Sequence, residues 1–265
     1  MAQVTNDLPK LVTPTFMGTI PSTNKSFEFR PFLVGEQKVL LFAFETGDME
    51  QIYLALKRII GTCAQPPGSI DIDVIPSFDA ESIFLQLASR SIGEVSDIQI
   101  ACDSCEKYTP IKLPLGKAKV KNFDPKKQII KLTDKIGLKL KYSSIKEFLN
   151  ILDENTNEEG KVSETETIYS IFQRTIESIF TEDKVFPIED YTEADLTAFI
   201  ESMSIPQIRM IEDFIAETPY LAIDVEFTCP HCKAKNSKEL RGIKNFFWSP
   251  SHMIRSRIIT TSTFC

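Results

Sequence analysis

At 265 residues and 30.0 kDa the chain is long enough for one large domain or two small ones. Its 42% hydrophobic and 25% charged content is that of a globular protein with a real core, which excludes a fibrous or disordered chain. A net charge of −7 and a pI of about 5.1 argue against non-specific nucleic-acid binding, which needs a basic surface.

Residues 1–14 carry Pro9 and Pro14 and read as an extended arm, without the charged-then-apolar pattern of a leader. Two strands are expected over 15–20 and 26–30, joined by a turn-rich loop at 21–25 and stopped by Pro31. Residues 35–46 form a helix that is apolar nearly all round, so it should be buried. Within it, 39–44 is the longest apolar run, far too short to span a bilayer. Gly47 ends this helix. Asp48 caps the next, with Gln51 as its capping-box partner. Met49, Ile52, Tyr53, Leu56, Ile59, Ile60 and Cys63 then fall on one helical stripe, the geometry of a core. A turn at 65–68 and a short strand over 70–75 follow. Ser77 or Asp79 caps a helix that runs to about Ile92 and stops at Gly93.

The stretch 117–141 holds lysines at 117, 119, 121, 126, 127, 131, 135, 139 and 141. They alternate with Ile129, Ile130, Leu132, Ile136, Leu138 and Leu140. That pattern predicts a hairpin with one solvated lysine face, in preference to a phosphate-binding patch. A short helix over 144–152 leads to an acidic loop, 153–160, with no apolar residue. Ser163 and Glu166 read as a capping box for a helix to Phe180, and a loop runs on through Pro187. Thr192 caps a helix bearing Leu196, Phe199, Ile200 and Met203. Pro206 opens the next helix at a position where its missing N–H costs nothing.

Two CxxC motifs flank this middle region. Cys102 and Cys105 sit between the alternating stretches 97–100 and 109–113. Cys229 and Cys232 sit between 223–227 and 237–240. Strand, CxxC turn, strand, occurring twice, is the pattern of a zinc ribbon. Two cysteines three residues apart on a tight turn can aim both sulfurs at one point, and two such turns supply the four thiolates of a tetrahedral Zn²⁺. One structural zinc per chain is therefore expected on Cys102, Cys105, Cys229 and Cys232. Four thiolates close the shell, so the site would not be catalytic. A redox dithiol would open a helix after a strand, but strands flank both motifs here. A disulfide would suit a secreted chain, and nothing marks this one as secreted. His231 lies between the second pair of cysteines and could compete as a ligand, but an exposed turn residue is the favoured reading. Cys63 is a small core residue and Cys265 an exposed one.

No triad, Walker-type glycine loop or GxGxxG occurs, and the two histidines, His231 and His252, have no catalytic setting. No enzymatic activity is expected. After Glu239 the chain has no acid, only Arg241, Lys244, Arg255 and Arg257 with apolar residues between them. Phe246, Phe247 and Trp248 open this end, and a partner-docking segment is expected there. The competing reading is that Phe246 and Phe247 cap the core and the rest is a terminus.

The order of segments resembles a known family. The phrases are Leu8-Pro9-Lys10, Thr13-Pro14-Thr15, Ile20-Pro21-Ser22-Thr23 and Phe29-Arg30-Pro31-Phe32-Leu33-Val34 near the start. Phe84-Leu85-Gln86-Leu87-Ala88-Ser89-Arg90-Ser91-Ile92-Gly93-Glu94 leads into the first CxxC. Phe227-Thr228-Cys229-Pro230-His231-Cys232 and Gly242-Ile243-Lys244-Asn245-Phe246-Phe247 close the match. Together they look like the baseplate hub subunit, or hub assembly chaperone, of T-even-type contractile-tailed bacteriophages. Residues from Trp248 on run past the ending this resemblance implies. It implies a late, non-enzymatic structural protein that builds the baseplate hub through contacts with other hub proteins, without nucleic acid or membrane. It would work in the host bacterial cytoplasm during assembly, with retention in the virion tail left open. The alternative is a zinc-ribbon nucleic-acid accessory protein for transcription or replication.

The fold expected is α+β: a β-hairpin module with a zinc-ribbon-like pair of CxxC knuckles and a mainly helical insertion between them. The segments are an N-terminal arm and hairpin (1–34), a helical segment (35–93), the first knuckle hairpin (94–116) and a lysine-rich hairpin with helical insertion (117–220). The second knuckle hairpin (221–245) and a C-terminal tail (246–265) complete the chain.

Overall fold

A computed structural model describes residues 11–157 and 160–247. Residues 1–10, Glu158 and Glu159 of the acidic loop, and everything from Trp248 on, His252 and Cys265 included, lie outside the described residues.

The chain opens with the expected hairpin, β1 (Phe16–Thr19) and β2 (Ser26–Phe29), to which β3 (Ala64–Gln65) adds a third antiparallel strand. Three helices follow β2: α1 (Val34–Thr46), α2 (Met49–Cys63) and, beyond β3, α3 (Ser77–Ser91). Gly47 ends α1 in the left-handed conformation at φ 69°, where a residue without Cβ is favoured. Asp48 caps α2 by accepting from the Glu50 amide, and no reciprocal bond from Gln51 accompanies it. The predicted α2 stripe is buried except at Met49, and Cys63 is fully buried.

Several expectations fail here for identifiable reasons. Helix α1 is not buried all round: Leu40, Ala43 and Phe44 face the core, whereas Val34 and Phe42 are exposed. It lies at the edge of the helical layer, so only one side finds a neighbour. Residues 70–75 form turns and no strand, because Ile70 and Ile72 drop into the core without a partner strand. Neither Ser77 nor Asp79 caps α3, whose first turn is entered from Pro76. Asp79 instead turns back to accept from the Ser22 amide at 3.0 Å and from the Ser22 hydroxyl, which ties α3 to the β1–β2 turn.

The phrases that carry the family resemblance now acquire a physical role. Arg30 donates to both carboxylate oxygens of Glu36, at 2.9 and 2.7 Å. The Phe32 amide donates to the Ser91 hydroxyl at 2.9 Å, and the Phe32 ring stacks on Phe84. Arg90 pairs with Glu94 and lies over the Phe16 ring. Arg-Pro-Phe and Arg-Ser-Ile-Gly-Glu thus pack the first hairpin onto α3, and both serve the fold. The Arg30 guanidinium, aided by the Leu33 amide and Thr62, outweighs burial and holds the Glu36 carboxyl at about 2. A carboxylate depressed in the folded state stabilises above its unfolded pKa, and that contribution fades as pH falls through the folded value. Glu36→Gln should therefore lower the unfolding free energy read from urea titration at pH 7, by no more than about 3 kcal/mol. Its difference from the natural chain should shrink between about pH 4.5 and pH 2, and a constant difference would rule the linkage out.

Strands β4 (Val95–Ala101) and β5 (Tyr108–Pro114) make the first CxxC hairpin. A single 3₁₀ turn then feeds β6 (Lys119–Lys121), which leaves the lysine run to pair with a strand a hundred residues later. That strand is β11 (Tyr220–Thr228), which with β12 (Lys235–Arg241) forms the second CxxC hairpin in a sheet ordered β12-β11-β6. Strand β6 is what brings the two hairpins together.

The chain between β6 and β11 holds more helix than strand, as expected, but it also carries a sheet larger than the expected hairpin. A four-stranded antiparallel sheet, ordered β10-β9-β8-β7, is built from β7 (Ile129–Lys131), β8 (Ile136–Leu140), β9 (Ile176–Thr181) and β10 (Val185–Pro187). Helices α4 (Ile145–Glu154), α5 (Glu164–Thr175), α6 (Glu193–Glu201) and α7 (Ile205–Ala216) surround it. The helix expected to reach Phe180 stops at Thr175, and Ser163 makes no side-chain cap. From Ile176 the residues alternate in and out, and β8 offers a free edge, so the ladder wins over the helix. The residues before Pro187 likewise add β10 to the same sheet. The expected hairpin forms as β7 and β8, and most of the lysines are exposed, but they are spread over more than one sheet and four of them find acids. Lys121 reaches Asp224 and Glu239, Lys127 reaches Glu217, Lys139 reaches Glu177 and Lys141 reaches Glu147. Apart from Glu147, six residues from Lys141, these acids lie far away in sequence, so no local pattern announces the pairing.

Two hydrophobic cores result. The larger one joins the first hairpin, α1–α3 and the CxxC hairpins. The smaller one joins β8, α5 and α7 through Leu138, Tyr142, Phe172 and Phe214. A last helix, α8 (Gly242–Phe247), packs on α3, β4 and β11. Its Phe246 is fully buried in the larger core, and the Ser96 hydroxyl donates to the Phe246 carbonyl at 2.7 Å. Phe246 therefore caps the core and is withdrawn from the docking segment.

Candidate metal centre

The two CxxC turns are built alike. In the first, the Cys102 amide donates to the Lys107 carbonyl and the Glu106 amide to the Cys102 carbonyl, at 3.0 and 2.8 Å. In the second, the Cys229 amide donates to the Ala234 carbonyl and the Lys233 amide to the Cys229 carbonyl, at 2.9 and 3.0 Å. The residue after each second cysteine takes a left-handed backbone, Glu106 at φ 58° and Lys233 at φ 62°. Both turns thus curl two side chains inward at the same offset.

The hairpins face each other tip to tip. The four sulfurs of Cys102, Cys105, Cys229 and Cys232 lie within 4.8 Å of one another, a spacing at which they could hold a metal ion. Cys102 Sγ is 3.6 Å from Cys232 Sγ, and Cys105 Sγ is 3.7 Å from Cys229 Sγ. All four are free thiols, as is Cys63. Cys102 and Cys229 are buried, whereas Cys232 is exposed. His231 is exposed on its turn and stands outside the group.

Two side chains reach from one hairpin to the other. Asn236, buried on β12, donates through Nδ2 to Cys102 Sγ at 3.5 Å and accepts from the Asp103 amide at 2.9 Å. Thr109, buried on β5, points its hydroxyl at Cys229 Sγ, 4.0 Å away. Each stands four residues after the second cysteine of its own turn and addresses the first cysteine of the other. Sequence reasoning missed both. The signal it could have used is this shared offset, a polar residue four positions after the second cysteine of each turn. Lys238 on β12 also pairs with Asp103 at 2.6 Å, a further tie between the hairpins. Asn236→Ala should cost about 1 kcal/mol, since it removes the hydrogen bond to the Asp103 amide, which lies on an exposed residue that water can reach. An unchanged unfolding midpoint would mean that the hairpins do not depend on this contact.

The thiols titrate as a group. Burial raises Cys102, but the amides of Ser104 and Cys105, with Asn236 and Cys232, outweigh it and bring the thiol below its ordinary range. The Cys232 amide, opposed by burial and helped by the His231 amide, brings Cys229 down to about 6. The Lys107 amide lowers Cys105, but burial and its neighbouring thiols push it up to about 12. Amide donors aimed at sulfur favour thiolate, the form that ligates metals.

With this geometry in view, the class is a mixed α and β protein whose distant hairpins meet at a four-cysteine cluster. The chain belongs to the T4 bacteriophage base plate protein family, whose sequence model matches residues 13–248, both CxxC turns included. It is similar to the baseplate hub assembly protein gp26 of Enterobacteria phage T4. The two are 22% identical over 225 residues, which is 84% of this chain and 93% of that one. No solved structure matches the chain. Among the described residues, no helix is long and apolar enough to cross a membrane.

Proposed function

We propose that this chain is a non-enzymatic assembly protein of the baseplate central hub, acting through contacts with other hub proteins. The observation that carries this reading is the similarity to a hub assembly protein over 93% of that relative's length. The proposed setting is the host cytoplasm during assembly, then the tail baseplate. The six segments read from the sequence, with a tail from residue 246, stand in this proposal as its working division of the chain. Docking is assigned to Phe247, Trp248 and the residues after them, Phe246 being part of the core.

The four cysteines are proposed to hold one structural zinc. Sulfurs bonded to one tetrahedral ion at about 2.3 Å would stand about 3.8 Å apart, and the observed 3.6 and 3.7 Å support that fit. Four thiolate donors leave no position for a substrate, which supports a structural role. The lysine run favours protein contacts over nucleic acid, because Lys121, Lys127, Lys139 and Lys141 are neutralised by acids.

The test is capture of the tagged full chain from infected cells, with virions assayed in parallel. Hub proteins should co-purify and survive salt that strips nucleic-acid binders. Salt-sensitive retention on heparin without hub proteins would favour the nucleic-acid reading and overturn this one.

A further inference from the structure

Between the two cores lies a cavity of about 510 Å³, open on one side. Leu56, Phe148, Ile171, Phe214 and Ile215 are among the apolar residues that line it, and Phe148 is left half exposed. This volume is in the range that seats several side chains of a bound segment or ligand, roughly 300–1,000 Å³. Three charged residues line it. Lys141 is paired with Glu147 and Arg241 with Glu239. Glu81 is different: among the described residues its one partner is the Ile243 amide. Burial, opposed by that amide, pushes its carboxyl up to about 7. A carboxylate has room for several donors, so an occupant that brings a cation among apolar groups would complete this site.

We propose that the occupant is this chain's own C-terminal segment, residues 248–265, with an arginine set against Glu81. Helix α8 lines the cavity through Gly242, Ile243 and Asn245, and the described chain ends two residues later. A six-residue helix is about 9 Å long. The 18 residues beyond it can extend about 60 Å, so a return to the cavity is within easy reach. The segment has the matching chemistry: Met253, Ile254, Ile258 and Ile259 surround Arg255 and Arg257, and it contains no acid. This inference concerns a contact within one chain and does not need the hub reading, but it competes with hub proteins for residues 248–265, the segment to which docking was assigned.

The test uses the full chain with the photo-crosslinker p-benzoylphenylalanine in place of Ile254 or Ile258. Crosslinks within the chain should map to α4, α5 and α7 around the cavity. Glu81→Gln should lower their yield at least threefold, and Arg255→Gln with Arg257→Gln should do the same. Urea midpoints measured on the same variants separate a loss of yield from a loss of folding: an unchanged midpoint with lowered yield supports the contact. Crosslinks that scatter, that join two copies of the chain, or that keep their yield in both variants would overturn the proposal.

Discussion

The purified chain should carry about one equivalent of zinc, and chelation should abolish the cooperative unfolding of its larger core. Two physical points set the size of this effect. Cys105 and Cys229 are separated by 123 residues, so a shared ion closes a long loop that includes the whole mixed insertion. Structural zinc in small domains supplies on the order of 10 kcal/mol or more, as much as the entire stability of a typical domain. Replacing Cys102, Cys105, Cys229 or Cys232 by serine should each cost solubility or folding. Cys63→Ser is the control, because Cys63 is buried between α2 and β3 and lies outside the cluster. That variant should keep its zinc and lose only the few kcal/mol of a buried polar replacement. Metal analysis and thermal unfolding decide the matter, and a metal-free chain with the same unfolding temperature would sink the zinc assignment.

Phe246→Ala should destabilise the chain by about 3–5 kcal/mol, whereas Phe42→Ala should cost less than about 1. Both are phenylalanines on helices, and their environments are opposite. Phe246 is fully buried under α3, β4 and β11, while the Phe42 ring is 56% exposed on α1. Removing the first leaves a cavity that a six-residue helix held by the Ser96 bond cannot easily close. Removing the second opens no enclosed cavity, because that residue already faces water. The consequence reaches function, because a chain cut after Asn245 would lose core packing along with its tail. A capture experiment on that truncation would confuse unfolding with lost docking. Urea midpoints of the two variants are the check, and equal values would mean that α8 is not part of the core.

Much of the site was legible in the chain itself. The CxxC spacing, flanked twice by period-two strands, specifies two hairpin tips with paired thiols wherever they fold, because the information is local. The α2 stripe and the Gly47 stop are local in the same sense: helical periodicity and a left-handed terminus need no distant partner. The resemblance phrases also marked the family before any contact was visible. Tertiary structure alone decided the rest. Residues 176–181 could continue a helix or add a strand, and the open edge of β8 chose the strand. Strand β6 could have closed a lysine hairpin, but it pairs with β11 and so sets the two cysteine pairs face to face. Phe246 could have docked a partner, and the space beneath α8 took it into the core. Asn236 and Thr109 look like ordinary strand residues until the second hairpin stands opposite. In each case the sequence by itself determines what a segment can form, and the long-range neighbour it meets decides which form has the lower free energy.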